Sequence, residues 1–111
     1  MNIELNLSKI DLSEELRRYL ARRLHFSLGR FAGRVGRLDI RISGAERLRG
    51  GGHHCQIYAE IVPFGNVTVE ESDPDMHMAI DRATTRIGRL FAQELDRIRD
   101  MRVGRNNLRA A

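Results

Sequence analysis

Arginine is the residue whose type and spacing promise chemistry in this chain. Nineteen of the 111 residues are lysine or arginine, and every one except Lys9 is arginine. A guanidinium is planar, permanently charged and able to grip a phosphate through two parallel N–H bonds, which an ammonium cannot match. A GC-rich genome would also raise the arginine count, but it would not sort the charges along the chain. Residues 1–50 carry eleven basic and six acidic groups, residues 51–81 none and six, and residues 82–111 eight and three. In the last block Arg82, Arg86, Arg89 and Arg97 recur at helical spacing, a stripe interrupted only by Gln93. In the first block Arg23 projects into an apolar sector made by Leu16, Tyr19, Leu20, Leu24 and Leu28. Two readings are open for it. Arg23 snorkels along its stem to the edge of the core, or it emerges at a seam between two helices and joins Arg22 and the Arg82 to Arg97 stripe around a phosphate-binding groove.

Other chemistries find less support. His53, His54, Cys55 and His77 are metal-ligand types, but adjacent strand residues point to opposite faces and no second cysteine exists, so no recognised ligand set forms. The run Gly50-Gly51-Gly52 leads into a strand instead of opening a helix, so it is no phosphate loop, and no serine or cysteine stands in a nucleophile motif. Acid pairs such as Glu70-Glu71 and Asp73-Asp75 fall where caps and a solvated face need acids. A non-enzymatic protein is expected, with no cofactor, no metal and no small-molecule substrate.

The elements that must position the arginines follow from periodicity. Asn2 to Leu7 alternates as a half-buried strand, and Ser13 with Glu14 and Glu15 opens a helix that runs to about Leu28, with Gly29 as its stop. Leu38, Ile40 and Ile42 mark a second strand, and Gly50 to Gly52 a loose turn. Cys55, Ile57, Ala59 and Ile61 form the inward side of a third strand, and after a turn at Pro63 to Asn66, Val67 and Val69 that of a fourth. Asp73-Pro74-Asp75 opens the last helix, with Asp73 as cap and Pro74 at the first helical position, and the helix extends to about Met101. The expected fold is α+β, in the order β-α-β-β-β-α: a four-stranded sheet with both helices packed on one face. The other face collects Glu4, Asp39, Arg41, Tyr58, Glu60, Thr68 and Glu70, net acidic and ill suited to phosphate. One domain is expected over 1–102 and a disordered basic tail over 103–111. A lone cysteine, no secretion signal and no apolar run long enough for a bilayer point to a cytoplasmic protein away from membranes.

The first strand, Ser13-x-x-Leu16-Arg17-x-Tyr19-Leu20-x-x-Arg23-Leu24, the segment Glu70 to Asp75 and Ala79-Ile80-Asp81-x-Ala83-x-x-Arg86-Ile87-x-Arg89 resemble the ribosome hibernation-promoting factor and ribosome-associated inhibitor family, also called sigma-54 modulation protein. The resemblance spans roughly residues 2–100. It implies a fold similar to double-stranded-RNA-binding domains. It also implies binding to the small ribosomal subunit and its rRNA near the decoding region, across the sites for messenger and transfer RNA. Carried over by position, the rRNA-facing residues are Arg23, Arg86 and Arg89, with Arg22 and Arg82 as neighbours. Where the family continues the last helix with lysines and arginines, this chain has Ala92, Gln93 and Leu95, and Gly50 to His54 differs from the common short basic turn. The chain resembles the short form, which lacks the C-terminal dimerisation domain of longer members. Self-association is left open. Two other functions remain as alternatives: a protein-interaction regulator of the sigma-factor modulation type, working through the acidic sheet face or Tyr58, and a general structured-RNA-binding domain.

Overall fold

Four alternating segments form strands and two segments of helical period form helices, in the order β1 (Asn2–Ser8), α1 (Glu14–Leu28), a short 3-10 helix (Gly29–Arg34), β2 (Val35–Ser43), β3 (His53–Ile61), β4 (Asn66–Asp73) and α2 (Met76–Ala110). The structure, a computed structural model, describes residues 2–8, 12–44 and 52–110. The loose turn expected at Gly50 to Gly52 lies largely outside them. The sheet order is β1-β2-β3-β4, with β1 parallel to β2 and the other pairs antiparallel. A parallel pair needs a crossover, and α1 supplies it. This is the expected β-α-β-β-β-α fold.

The inward faces are those the alternation marks. Leu38, Ile40 and Ile42 of β2 and Cys55, Ile57, Ala59 and Ile61 of β3 are fully buried, and Leu20, Leu24, Leu28, Ile80, Ala83, Ile87 and Phe91 close over them from the helices. Each large aliphatic side chain so buried contributes roughly 1.5–3 kcal/mol. The edge is looser, with Ile3 of β1 at 44% exposure.

Ser13 Oγ accepts from Leu16 N at 3.1 Å and caps α1 as expected, with Glu14 and Glu15 in the first turn. Gly29 ends that helix while keeping right-handed backbone angles (φ −57°, ψ −39°), so the chain tightens into the 3-10 helix instead of reversing. The tightened turn carries Phe31 onto Phe91, ring centroids 5.3 Å apart. Between β3 and β4, Gly65 adopts φ +108° while its carbonyl accepts from Ile61 N, a conformation that disfavours any residue with a Cβ.

Both ends of α2 differ from expectation. Asp73 is not its cap, because it still pairs with His53 as the last residue of β4. Its Oδ1 accepts from Asp75 N at 2.9 Å, a side-chain turn around Pro74. Asp75 caps instead, its Oδ1 accepting from His77 N at 2.9 Å and its carbonyl from Ala79 N at 3.0 Å. Pro74 therefore precedes the cap. At the other end the backbone stays helical to Ala110, where a stop near Met101 and a disordered tail over 103–111 were expected. No proline interrupts residues 102–110, and one glycine costs a helix only about 1 kcal/mol, too little to end it. Ala111 lies outside the described residues. Met101 is 48% exposed, and Ile98 is the last buried residue of α2 among those whose side chains are described.

Candidate nucleic-acid interface

α1 and α2 lie close together where Gly88 faces Ser27: a Cβ added at Gly88 would lie 3.0 Å from the Ser27 carbonyl oxygen. One turn away the helices are tied by polar groups. Tyr19 and Arg23, four residues apart and so on one face of α1, both reach Asp81 of α2. The Tyr19 hydroxyl donates a short hydrogen bond to Asp81 Oδ1, and Arg23 Nε lies 3.4 Å from the same oxygen. Arg23 also donates to Thr85 Oγ1 at 2.8 Å and to Thr84 Oγ1 at 3.4 Å. Thr84 is fully buried, its own hydroxyl donating back to the Ile80 carbonyl at 2.8 Å. Tyr19 holds its proton more firmly than an ordinary tyrosine, first because of the hydrogen bond to Asp81, then through burial and the repulsion of that carboxylate. The emergence of Arg23 at the helix seam, one of its two readings, is therefore what the structure shows, but with its guanidinium engaged across the seam.

Three adjoining concavities lie on the helix face, the first of them at the seam. One of about 280 Å³ is lined by Arg23, Phe26, Arg30, Thr85 and Arg89 with Ser27 and Gly88 at its floor. A second of about 330 Å³ continues past Arg89 and Thr85 to Arg82, Arg86, Asp81 and Glu71. The third lies beyond Phe26, against Ala21, Arg22 and His25. All five arginines singled out by sequence thus line one continuous surface. They are not equally free. Arg86 Nη1 bonds Glu71 Oε1 at 3.1 Å, and Arg82 Nη2 lies 3.4 Å from Asp73 Oδ2. Among the described residues Arg22 and Arg89 have no hydrogen-bond or ion-pair partner. Arg97, further along the stripe, is bound to Glu94, Nε to Oε1 at 3.0 Å, and that bond holds the Glu94 carboxyl below its usual range.

With this geometry the chain matches, over residues 3–99, the family described as sigma 54 modulation protein / S30EA ribosomal protein. The chain belongs to that family. Membership bears out the resemblance to the ribosome hibernation-promoting factors and places the chain among ribosome-associated modulation factors. Among solved structures, it is similar to the N-terminal domain of Thermus thermophilus Protein Y, with TM-score 0.66 and 28% identity, covering 81% of this chain and 94% of that one. A ribosomal subunit interface protein from Coxiella burnetii shares the fold, with TM-score 0.73 and 14% identity, covering 86% of this chain and 99% of that one. Among curated proteins none matches.

In this S30EA-family chain the departures from the usual pattern have different meanings. Leu95 is buried in the core and Ala92 half-buried, so neither stands on the arginine surface, whereas Gln93 is exposed. The open sheet face holds a concavity of about 320 Å³ lined by Arg37, Asp39, Arg41, Gln56 and Tyr58 with Glu60 and Thr68. Its charges are internally matched. Asp39, expected as a solvated acid, is only 8% exposed because Asn6 donates to it at 2.9 Å while Arg37 and Arg41 lie 3.4 and 4.0 Å away. Tyr58 is half-buried there.

The metal-ligand types lie apart. His54 meets Ser72 and Glu70 on the open face, and His77 packs on Tyr19 with ring centroids 5.0 Å apart. Cys55 is buried, which pushes its thiol up to about 12 and removes thiolate chemistry. Among the described residues no three histidine, cysteine or acidic side chains gather as a metal site, and no helix is long and apolar enough to cross a membrane.

Sequence reasoning missed Phe26, Arg30, the threonines and the acids opposite the stripe. The acids had a signal. Alternation along β4 puts Val67, Val69, Glu71 and Asp73 on one side, the side that faces α2.

Proposed function

We propose that this chain is a non-enzymatic, cytoplasmic translation inhibitor that binds small-subunit rRNA near the decoding region through the helix face carrying Arg22, Arg23, Arg82, Arg86 and Arg89. Occupancy of the sites for messenger and transfer RNA would silence the ribosome. The observation that carries the reading is the convergence of these five arginines, from two helices, on one continuous grooved surface. The opposite face offers no comparable site, since Arg37 and Arg41 there are matched to Asp39 and the remaining charges are acidic. Phosphate contacts of this kind release counterions, so affinity must fall steeply with salt.

Sucrose-gradient sedimentation at low salt tests the reading. The protein should migrate with purified small subunits and leave them as salt is raised. Arg89→Ala should weaken binding about tenfold, if its charge-assisted contact contributes roughly 1.5 kcal/mol, and leave stability within about 0.5 kcal/mol. Arg86→Ala should lose somewhat less, because Arg86 is already paired with Glu71. Glu60→Ala on the open face should bind like the parent. A protein that stays at the top of the gradient, or arginine variants that bind like the parent while sheet-face variants do not, would refute it.

A further inference from the structure

Phe26 is the most exposed large apolar side chain among the described residues, at 81%, although it sits in mid-surface on a basic helix. The other exposed apolar side chains are less exposed and lie elsewhere: Ile3 on an edge strand, Val62 and Phe64 in the turn after β3, Met78 in the first turn of α2 and Met101 beyond Ile98. Phe26 stands where two concavities meet, and neither is lined by an acid: Arg23, Arg30 and Arg89 lie on one side of it, Arg22 and His25 on the other. The neighbouring stretch at Arg82 and Arg86 holds Glu71 and Asp81. The two concavities of this face that no acid lines therefore meet at an aromatic ring. Arg23 lies over that ring, its guanidinium carbon 5.8 Å from the centroid, and is itself held by Thr85 and Asp81. The ring is thus backed by a cation that the seam keeps in place.

From this arrangement we infer that Phe26 is a stacking platform for one unpaired base of an RNA strand, whose flanking phosphates are gripped by Arg30 and Arg89. A cation-rich, acid-free rim matches a polyanion, and an exposed aromatic face matches a base plane. Bases inside a duplex present no free face to it, so the platform selects a looped-out or single-stranded nucleotide. The ring and its arginines divide the work: stacking reads the base, and the guanidinium groups neutralise the strand. The inference rests on the proposed function and specifies where on the basic surface RNA is read rather than merely attracted.

The test measures affinity for purified small ribosomal subunits across a salt series for the parent, Phe26→Ala, Phe26→Leu, Phe26→Trp, Arg30→Ala and Arg89→Ala. Base stacking by one aromatic ring predicts a loss of about tenfold for both Phe26→Ala and Phe26→Leu, with Phe26→Trp retained. The Phe26 variants should keep the parental log-log salt slope, whereas each arginine variant should flatten it by somewhat less than one unit. The chain contains no tryptophan, so Phe26→Trp also places a single reporter at the site. Its fluorescence should be quenched by a single-stranded oligoadenylate and not by an abasic oligomer of equal charge. Thermal melts of all variants should coincide with the parent, as the ring is exposed. If Phe26→Leu binds like the parent, or the abasic oligomer quenches equally, stacking is refuted, even while loss in Arg89→Ala upholds the basic face. If Arg89→Ala also binds like the parent, the proposed function fails and the platform with it.

Discussion

Asp81 shows how one carboxylate can decide where several other residues act. It receives the Tyr19 hydroxyl and the Arg23 guanidinium, so two side chains of α1 are oriented by a single acid on α2. The Tyr19 proton is part of that bond. Because the folded protein raises the tyrosine pKa above its ordinary value of 10.0, the associated stability is complete below about pH 10 and is lost as pH rises through the folded value. Spectrophotometric titration should show a fraction of tyrosine ionising late, and that fraction should vanish in Tyr19→Phe. At neutral pH the same variant should lose about 1 kcal/mol, the net worth of an ordinary hydrogen bond, since Arg23 still serves the carboxylate. Should the urea stabilities of parent and variant run parallel up to pH 11, the Tyr19 to Asp81 bond would not be a determinant of the seam.

At the scale of elements, the seam depends on how near α1 and α2 can lie. Gly88 is buried in a long helix, a place where glycine costs about 1 kcal/mol relative to alanine. The cost is offset by contact, because a methyl there would press on the Ser27 carbonyl at 3.0 Å and on its Cβ at 3.2 Å. Backbone cannot rotate away as a side chain can. Gly88→Ala should therefore destabilise the protein by about 1 kcal/mol, an overpacking penalty of roughly 1–3 kcal/mol less the helix-propensity gain. Urea unfolding decides it, and a stabilised variant would mean that the helices part without cost. The same separation would widen the groove between Phe26 and Arg89, both of which line it beside Gly88.

Over the whole molecule, acids are distributed unevenly along the helix face. They meet the arginine stripe toward both ends, Glu71 and Asp73 at Arg86 and Arg82 and Glu94 at Arg97, while none lines the concavity that Phe26 shares with Arg30 and Arg89. Any phosphate approaching Arg86 competes with Glu71. Partly exposed pairs of this kind are worth about 0.2–1 kcal/mol, so Glu71→Gln should tighten binding to small subunits by up to about fivefold with little change in melting temperature. Sedimentation at a fixed low salt measures this. No gain in Glu71→Gln would show that the Arg86 pair persists in the complex, with Arg86 acting as a spacer.

The order of elements and the faces they bury were legible in the sequence because both follow from local periodicity. Ile57 and Ala59 of β3 or Ile80 and Ile87 of α2 carry their burial in their spacing. The shared flank of Arg82, Arg86 and Arg89 was legible too, since helical spacing alone sets it, whereas spacing left two readings open for Arg23. Their partners were not. Glu71 is fifteen residues from Arg86 and Asp81 is fifty-eight from Arg23, and only the docking of β4 and α1 against α2 sets which acid meets which base. The cap of α2 was misplaced for a related reason: Asp73 and Asp75 are equally good caps in isolation, and the pairing of Asp73 with His53 extends β4 just far enough to pass the role to Asp75. Which cations remain free to meet a ligand is thus a property of the tertiary structure, because ion pairs form across elements at distances that sequence does not encode locally.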